Sequence, residues 1–193
     1  DHTAQMYRIA QQVLSGSGYE HYEICNYAKP GYQARHNLTY WRTQSCYGFG
    51  MGATSYLETP HGYQRIDRPR TQSTYRQWVE RLVEEGYSNE PILSASERIL
   101  EQIMVGLRLK QGISLSAVDQ VHGEEGLGRL FAALAPHLHK GWVIAESQAD
   151  TMREQQQSTA KFTSNSRIRL SDPEGFLMSN VVIIDAFNAL EAL

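Results

Sequence analysis

The first 51 residues carry one amphipathic helix and only two short strand signals, and that scarcity constrains the fold more than any other feature. Met6, Ile9, Ala10, Val13 and Leu14 recur at helical spacing between Thr3 and Ser15, and Gly16 and Gly18 stop the repeat. Tyr22-Glu23-Ile24-Cys25 reads as a short strand, Ala28 to Arg35 as a loop carrying Pro30-Gly31, and Tyr47 to Met51 as a second strand. Helix, strand, loop, strand is the texture of an α/β sheet or barrel. Two strands can neither close a barrel nor bury both faces of a parallel sheet. This segment is expected to be the end of a larger α/β layer. An open edge there would expose apolar surface and unpaired strand groups, so instability or a homo-oligomer is expected.

From residue 59 the texture changes. Thr59-Pro60-His61-Gly62 reads as a hairpin turn between Ser55–Leu57 and Tyr63–Ile66. Ser73 to Glu85 comes next as a helix with Tyr75, Trp78, Val79, Leu82 and Val83 inward and Gly86 at its end. Ser94 and Glu97 fit a capping box that opens a further helix. That helix buries Ile99, Leu100, Ile103, Met104 and Leu107, and Gly112 breaks it. Ser114–Val121 and Glu124–His139 read as two helices, the second kinked or shortened by Pro136. Trp142–Ile144 and Arg167–Leu170 are strands around a polar stretch, Ser147 to Ser166, read as a mobile wing or linker. Asp172–Gly175 is a turn, and Asn180 caps a last helix, Val181 to Leu193. Three helices, a two-stranded wing and a terminal helix resemble a winged-helix arrangement.

Charge narrows the functions. A net charge of −3 argues against a general affinity for nucleic acid or anionic membranes. The candidate recognition helix, Glu124 to His139, begins with two glutamates and offers only Arg129 and the adjoining Lys140 as cations, so a DNA-binding module is the weaker reading. No apolar run reaches bilayer length, and Asp1-His2-Thr3-Ala4 carries no signal-peptide pattern, so a cytoplasmic protein is expected. There is no initiating Met; a processed end or a piece of something longer is the expectation. Cys25 and Cys46 stand too far apart in sequence for a zinc motif and read as half-buried thiols.

His36-Asn37-Leu38-Thr39-Tyr40-Trp41 concentrates the most chemistry. A lone histidine is more often structural or solvated than a ligand. Here a neutral imidazole, the commonest protein ligand to haem iron, stands beside Tyr40 and Trp41, whose flat faces suit packing on a macrocycle. Asn37 is placed to bond the backbone and fix the turn. The alternative is a loop plug in which both aromatics are simply core. Gly48, Gly50, Gly52 and Ala53 come next, at the wrong spacing for a dinucleotide loop. Glycines at alternate positions still let a ligand, or equally another backbone, come close. Arg65, Arg68 and Arg70 form a cluster able to meet a propionate or phosphate, with a solvated face as the alternative. His137 and His139 are two apart and cannot chelate together on a helix, and no nucleophile elbow is present.

Tyr22–Gly31, His36-Asn37-x-x-Tyr40-Trp41, Gly48–Ala53, Met104–Leu109 and Arg167–Leu177 together resemble the radical SAM family of oxygen-independent coproporphyrinogen III oxidase-like proteins, and best its haem chaperone branch, HemW. The resemblance spans nearly the whole chain. It implies an incomplete (β/α)6 barrel holding a 4Fe–4S cluster and S-adenosylmethionine, followed by an α-rich C-terminal domain. Residues 1–58 would be the end of the barrel and residues 59–193 the winged-helix-like C-terminal domain. It also implies that His36 is the haem-iron ligand, that Asn37, Tyr40 and Trp41 complete a haem site, and that Gly48, Gly50, Gly52 and Ala53 lie at the barrel mouth near S-adenosylmethionine. Haem-accepting proteins would be the partners.

The family's CxxxCxxC cluster motif is not in this sequence, so this chain does not hold the cluster and is expected to be inactive as an enzyme by itself. Thr54 stands where many chaperone-type members have His. The reading is a C-terminal portion of a haem chaperone. The runner-up is radical oxidative decarboxylation of coproporphyrinogen III in porphyrin biosynthesis.

Overall fold

A computed structural model describes residues 2–86, 90–147 and 161–191. The chain is α/β, and every strand pair among the described residues is antiparallel. Helix α1 (His2–Gly16) leads into a hairpin of β1 (Glu20–Glu23) and β2 (Asn26–Ala28). Helix α2 (Arg35–Trp41) precedes a second hairpin, β3 (Thr54–Thr59) with β4 (Gly62–Asp67), and then α3 (Gln72–Glu85). Helix α4 (Ala95–Gly106), β5 (Ile113–Ser114), α5 (Ser116–His139), β6 (Val143–Ser147), β7 (Ser166–Leu170), α6 (Glu174–Leu177) and α7 (Ser179–Glu191) complete it.

The main core lies in the second half. Strand β7 is central in a three-stranded sheet of order β5-β7-β6. Its Ile168 and Leu170 meet Ile103 and Leu107 at the end of α4, Leu130 and Leu134 of α5, and Val182 and Leu190 of α7, all essentially without solvent contact. The capping box forms as expected: Ser94 Oγ accepts from Glu97 N at 3.2 Å and Glu97 Oε2 accepts from Ser94 N at 2.7 Å. Thr59–Gly62 turns the hairpin, and Gly86 ends α3 with a left-handed backbone. The two helices expected at 114–121 and 124–139 are seen within α5, which breaks between them where Gly123 leaves helical geometry. It runs through Pro136 to His139, so that proline does not stop it. Helix α7 starts at Ser179, with Asn180 already inside it.

Among the described residues no closed barrel is seen, and the first strand turns back to pair with Asn26–Ala28. Two expectations are corrected. Tyr47–Met51 is not a strand: only Cys46 bridges to Tyr56, and the left-handed φ of Gly50 (87°) and Gly52 (70°) breaks the extended path. The apolar face of α1 is not core: Met6, Ile9 and Val13 are more than half exposed. On α3, Tyr75, Trp78, Val79 and Leu82 are half-buried and Val83 is exposed. The wing expected at 147–166 lies mostly outside the described residues. None of the helices, as far as they are described, is long and apolar enough to cross a membrane.

Candidate functional site

The His36–Trp41 stretch forms a short helix, not a loop plug, and its spacing decides what each side chain does. His36 and Tyr40 are four apart, share one face, and are both exposed. Asn37 and Trp41, also four apart, are half-buried on another face. Trp41 is packed beneath Tyr40, ring centroids 4.9 Å apart and edge-on. The Arg108 guanidinium stands 5.9 Å above the Trp41 ring and donates to the Met104 carbonyl one turn back. Gly106 lets β5 come close to the end of α4 beside this contact. A Cβ built on it would overlap Ile113 Cγ2, and the Trp41 carbonyl is 3.9 Å away. Trp41 Nε1 is buried with no hydrogen-bond partner among the described residues. No described residue bonds the His36 imidazole, which leaves a ring nitrogen for a ligand.

Beside α2 lies an open cleft lined by Tyr40, Cys46, Tyr56, Arg65, Glu101 and Val105 among others. Arg65 is committed to Glu101 and, at 3.1 Å, to Asp67. Partial burial would lift the Asp67 carboxyl, but hydrogen bonds from Thr54 and Arg65 outweigh it and hold the group below its usual range. Cys25 and Cys46 are free thiols, exposed and half-buried respectively. Burial, then the neighbouring Glu23, pushes the Cys25 thiol up.

The glycine segment is closed on itself more than expected. Gly48 N donates to Ser55 Oγ at 3.0 Å, Gly52 N to Pro69 O at 3.0 Å, and Ala53 N to Gly50 O at 3.3 Å. A Cβ on Gly48 would collide with the Thr54 carbonyl, so backbone packing accounts for that glycine. Nothing lies within 4 Å of a Cβ built on Gly50, which leaves one open approach. Of the arginine cluster only Arg70 is exposed. Arg65 is paired, and Arg68 is only 5% exposed.

A further polar site escapes sequence reasoning. His21, 1% exposed, places Nδ1 2.9 Å from Asp172 Oδ1 and Nε2 3.3 Å from the Tyr7 hydroxyl, which donates to Ile24 O at 2.8 Å. Tyr27 stacks on the imidazole at 4.1 Å. Burial, then Tyr27, pushes the Tyr7 phenol far up, and burial, then Asp172, pushes Tyr27 up to about 12. This network ties α1 and β1 to the turn before α6, and Arg8 adds a two-pronged pair to Glu174 at 2.6 and 2.8 Å. His21 and Asp172 are 151 residues apart, so no local signal could have joined them.

The donor set tests which groups these residues fit. An exposed, unbonded imidazole one turn from an exposed phenol, with an indole behind, fits a flat iron-bearing macrocycle. Two cysteines do not fit a cluster that needs three thiolates, and no described group of three or more His, Cys, Asp or Glu side chains could hold a metal ion.

No protein-family model matches the chain. Haem chaperone HemW of a Synechocystis species is 37% identical over 195 residues, covering 99% of this chain and 45% of that protein. HemW of Bacillus subtilis is 30% identical over 148 residues, covering 76% of this chain and 37% of its own length. Coproporphyrinogen III oxidase (HemN) from Escherichia coli, a radical SAM enzyme, shares the fold with a TM-score of 0.55 at 14% identity, over 96% of this chain and 40% of that one. The chain spans less than half the length of these relatives. Relatives named as HemW haem chaperones cover the chain over nearly its whole length, and it matches their C-terminal part.

Proposed function

We propose that this chain carries the haem-holding surface of a cytoplasmic radical SAM haem chaperone, which binds haem and passes it to haem-accepting proteins. The observation that carries the reading is the exposed pairing of His36 with Tyr40 on α2, set over a half-buried Trp41. His36 holds the iron of the cargo, Tyr40 and Trp41 shape the macrocycle's seat, and Asn37 supports the helix. The turn of Gly48, Gly50, Gly52 and Ala53 forms a rim toward S-adenosylmethionine, with Gly50 its open position and Gly48 packed on the backbone. The 4Fe–4S cluster and S-adenosylmethionine belong to a longer protein, where they supply radical chemistry. Residues 1–58 are the end of its barrel and residues 59–193 its winged-helix-like C-terminal domain, with the β3–β4 hairpin bridging the two.

Haemin titrated into the chain should give a saturable, shifted Soret band that weakens in His36→Ala. A band unchanged by that substitution removes the ligand assignment. The likeness of fold to HemN keeps the oxidase as the second reading. That reading requires coproporphyrinogen III turnover by the longer protein, and a longer protein that binds haem without turnover excludes it.

A further inference from the structure

Arg65 and Arg68 stand three residues apart on β4 and just beyond it, yet their surroundings are opposite. Arg65 points to the cleft side of the hairpin and meets two carboxylates. Arg68 falls on the other side, with Ser55 and α3, and is 5% exposed. Its guanidinium lies 4.8 Å from the ring of Tyr47 in the glycine loop and 5.3 Å from that of Trp78 in α3. Its side chain donates one hydrogen bond, from Nη1 to Ser55 Oγ at 2.7 Å. Among the described residues no carboxylate pairs with it.

Arginine is almost never so buried unless it is paired, because desolvating a cation costs more than aromatic faces return. A guanidinium has five N–H donors in a planar fork, and most of this fork is unspent. The fork matches a carboxylate in the guanidinium plane, and one cation balances one carboxylate. A phosphate dianion would ask for a second cation. Arg70, whose Cγ would lie 3.5 Å from a Cβ built on Gly52 of the same loop, is exposed.

We propose that Arg68, held by Tyr47, Trp78 and Ser55, is a receptor for the carboxylate of an organic ligand. It is a site distinct from the His36 face of α2, on the other side of the β3–β4 hairpin. The same carboxylate chemistry is found in a porphyrin propionate and in the amino-acid end of S-adenosylmethionine. Tyr47 and the glycine loop would register occupancy, because Ser55 Oγ, which Arg68 holds, also accepts from Gly48 N.

The test is an NMR titration of the full chain labelled with nitrogen-15, following the Arg68 Nε–H and Trp78 indole N–H signals. The probes are zinc protoporphyrin IX, its dimethyl ester and S-adenosylmethionine. A saturable shift with the porphyrin acid that the ester does not give supports the site and assigns the propionate. A saturable shift with S-adenosylmethionine supports it and assigns the amino-acid carboxylate. In Arg68→Lys, which keeps charge and loses the fork, affinity should fall about tenfold or more. No shift with any acid, an ester as effective as the acid, or full affinity in Arg68→Lys overturns the proposal. Should Arg68→Lys fail to fold, the acid-against-ester comparison and the S-adenosylmethionine titration on the unsubstituted chain decide it.

Discussion

Replacing Gly106 by alanine should destabilise the chain as it stands and stabilise it once Ile113 has been cut back. Gly106 closes α4 and is buried. A Cβ there would overlap Ile113 Cγ2, while the next atoms, Ile113 Cβ and Trp41 O, lie at an ordinary 3.9 Å. Ile113 is 4% exposed, β-branched and paired with Ile168, so its methyl cannot swing aside without leaving a preferred rotamer. Overpacking of this kind costs about 1–3 kcal/mol. Alanine near a helix end returns at most ~1 kcal/mol of backbone preference over glycine. With the full return, the net is a loss of up to about 2 kcal/mol with Ile113 in place. Ile113→Ala itself costs about 2–5 kcal/mol. In that background the obstructing methyl is gone, and Gly106→Ala becomes neutral to ~1 kcal/mol stabilising. Urea denaturation followed by circular dichroism supplies the four free energies of the cycle. An effect of the same sign and size in both backgrounds refutes the steric account of how β5 is seated on α4.

Stability should also fall in alkali. Burial holds Tyr7 and Tyr27 protonated in the folded chain, Tyr27 up to about 12, whereas an unfolded phenol ionises near its ordinary value of 10.0. Between those values the unfolded chain binds fewer protons, so this contribution is complete below the unfolded pKa and lost as pH rises through the folded one. A Tyr7→Phe, Tyr27→Phe variant should show a shallower fall of Tm above about pH 10, and an unchanged slope counts against the assignment. The exposed face of α1 should drive self-association of the chain on its own. Sedimentation should show a dimer or larger species that Ile9→Lys and Val13→Lys dissociate, and a monodisperse wild-type monomer contradicts this.

What could be read from the sequence was local. The Ser94–Glu97 box, the turn at 59–62 and the stop at Gly86 each depend on residues within four positions of one another. The core of α4, α5 and α7 arises from helical periodicity. Tyr47–Met51 misled because alternating apolar residues look extended, while left-handed glycines at 50 and 52 turn the chain away. The periodicity of α1 was real, but a periodic stripe does not say whether anything covers it. His36, Tyr40 and Trp41 were visible as chemistry; that helical spacing sends His36 and Tyr40 outward and Trp41 inward was not. His21 with Asp172, and Arg68 between Tyr47 and Trp78, depend on tertiary contacts that no spacing encodes.

The central claim is that the His36 imidazole is the ligand this chain offers to haem iron. The most direct measurement is the haemin spectrum of His36→Ala with and without added free imidazole. The account predicts that the Soret shift of the unsubstituted chain is lost in the variant and restored by imidazole, because Tyr40 and Trp41 still seat the macrocycle. A variant whose spectrum matches the unsubstituted chain before any imidazole is added contradicts it.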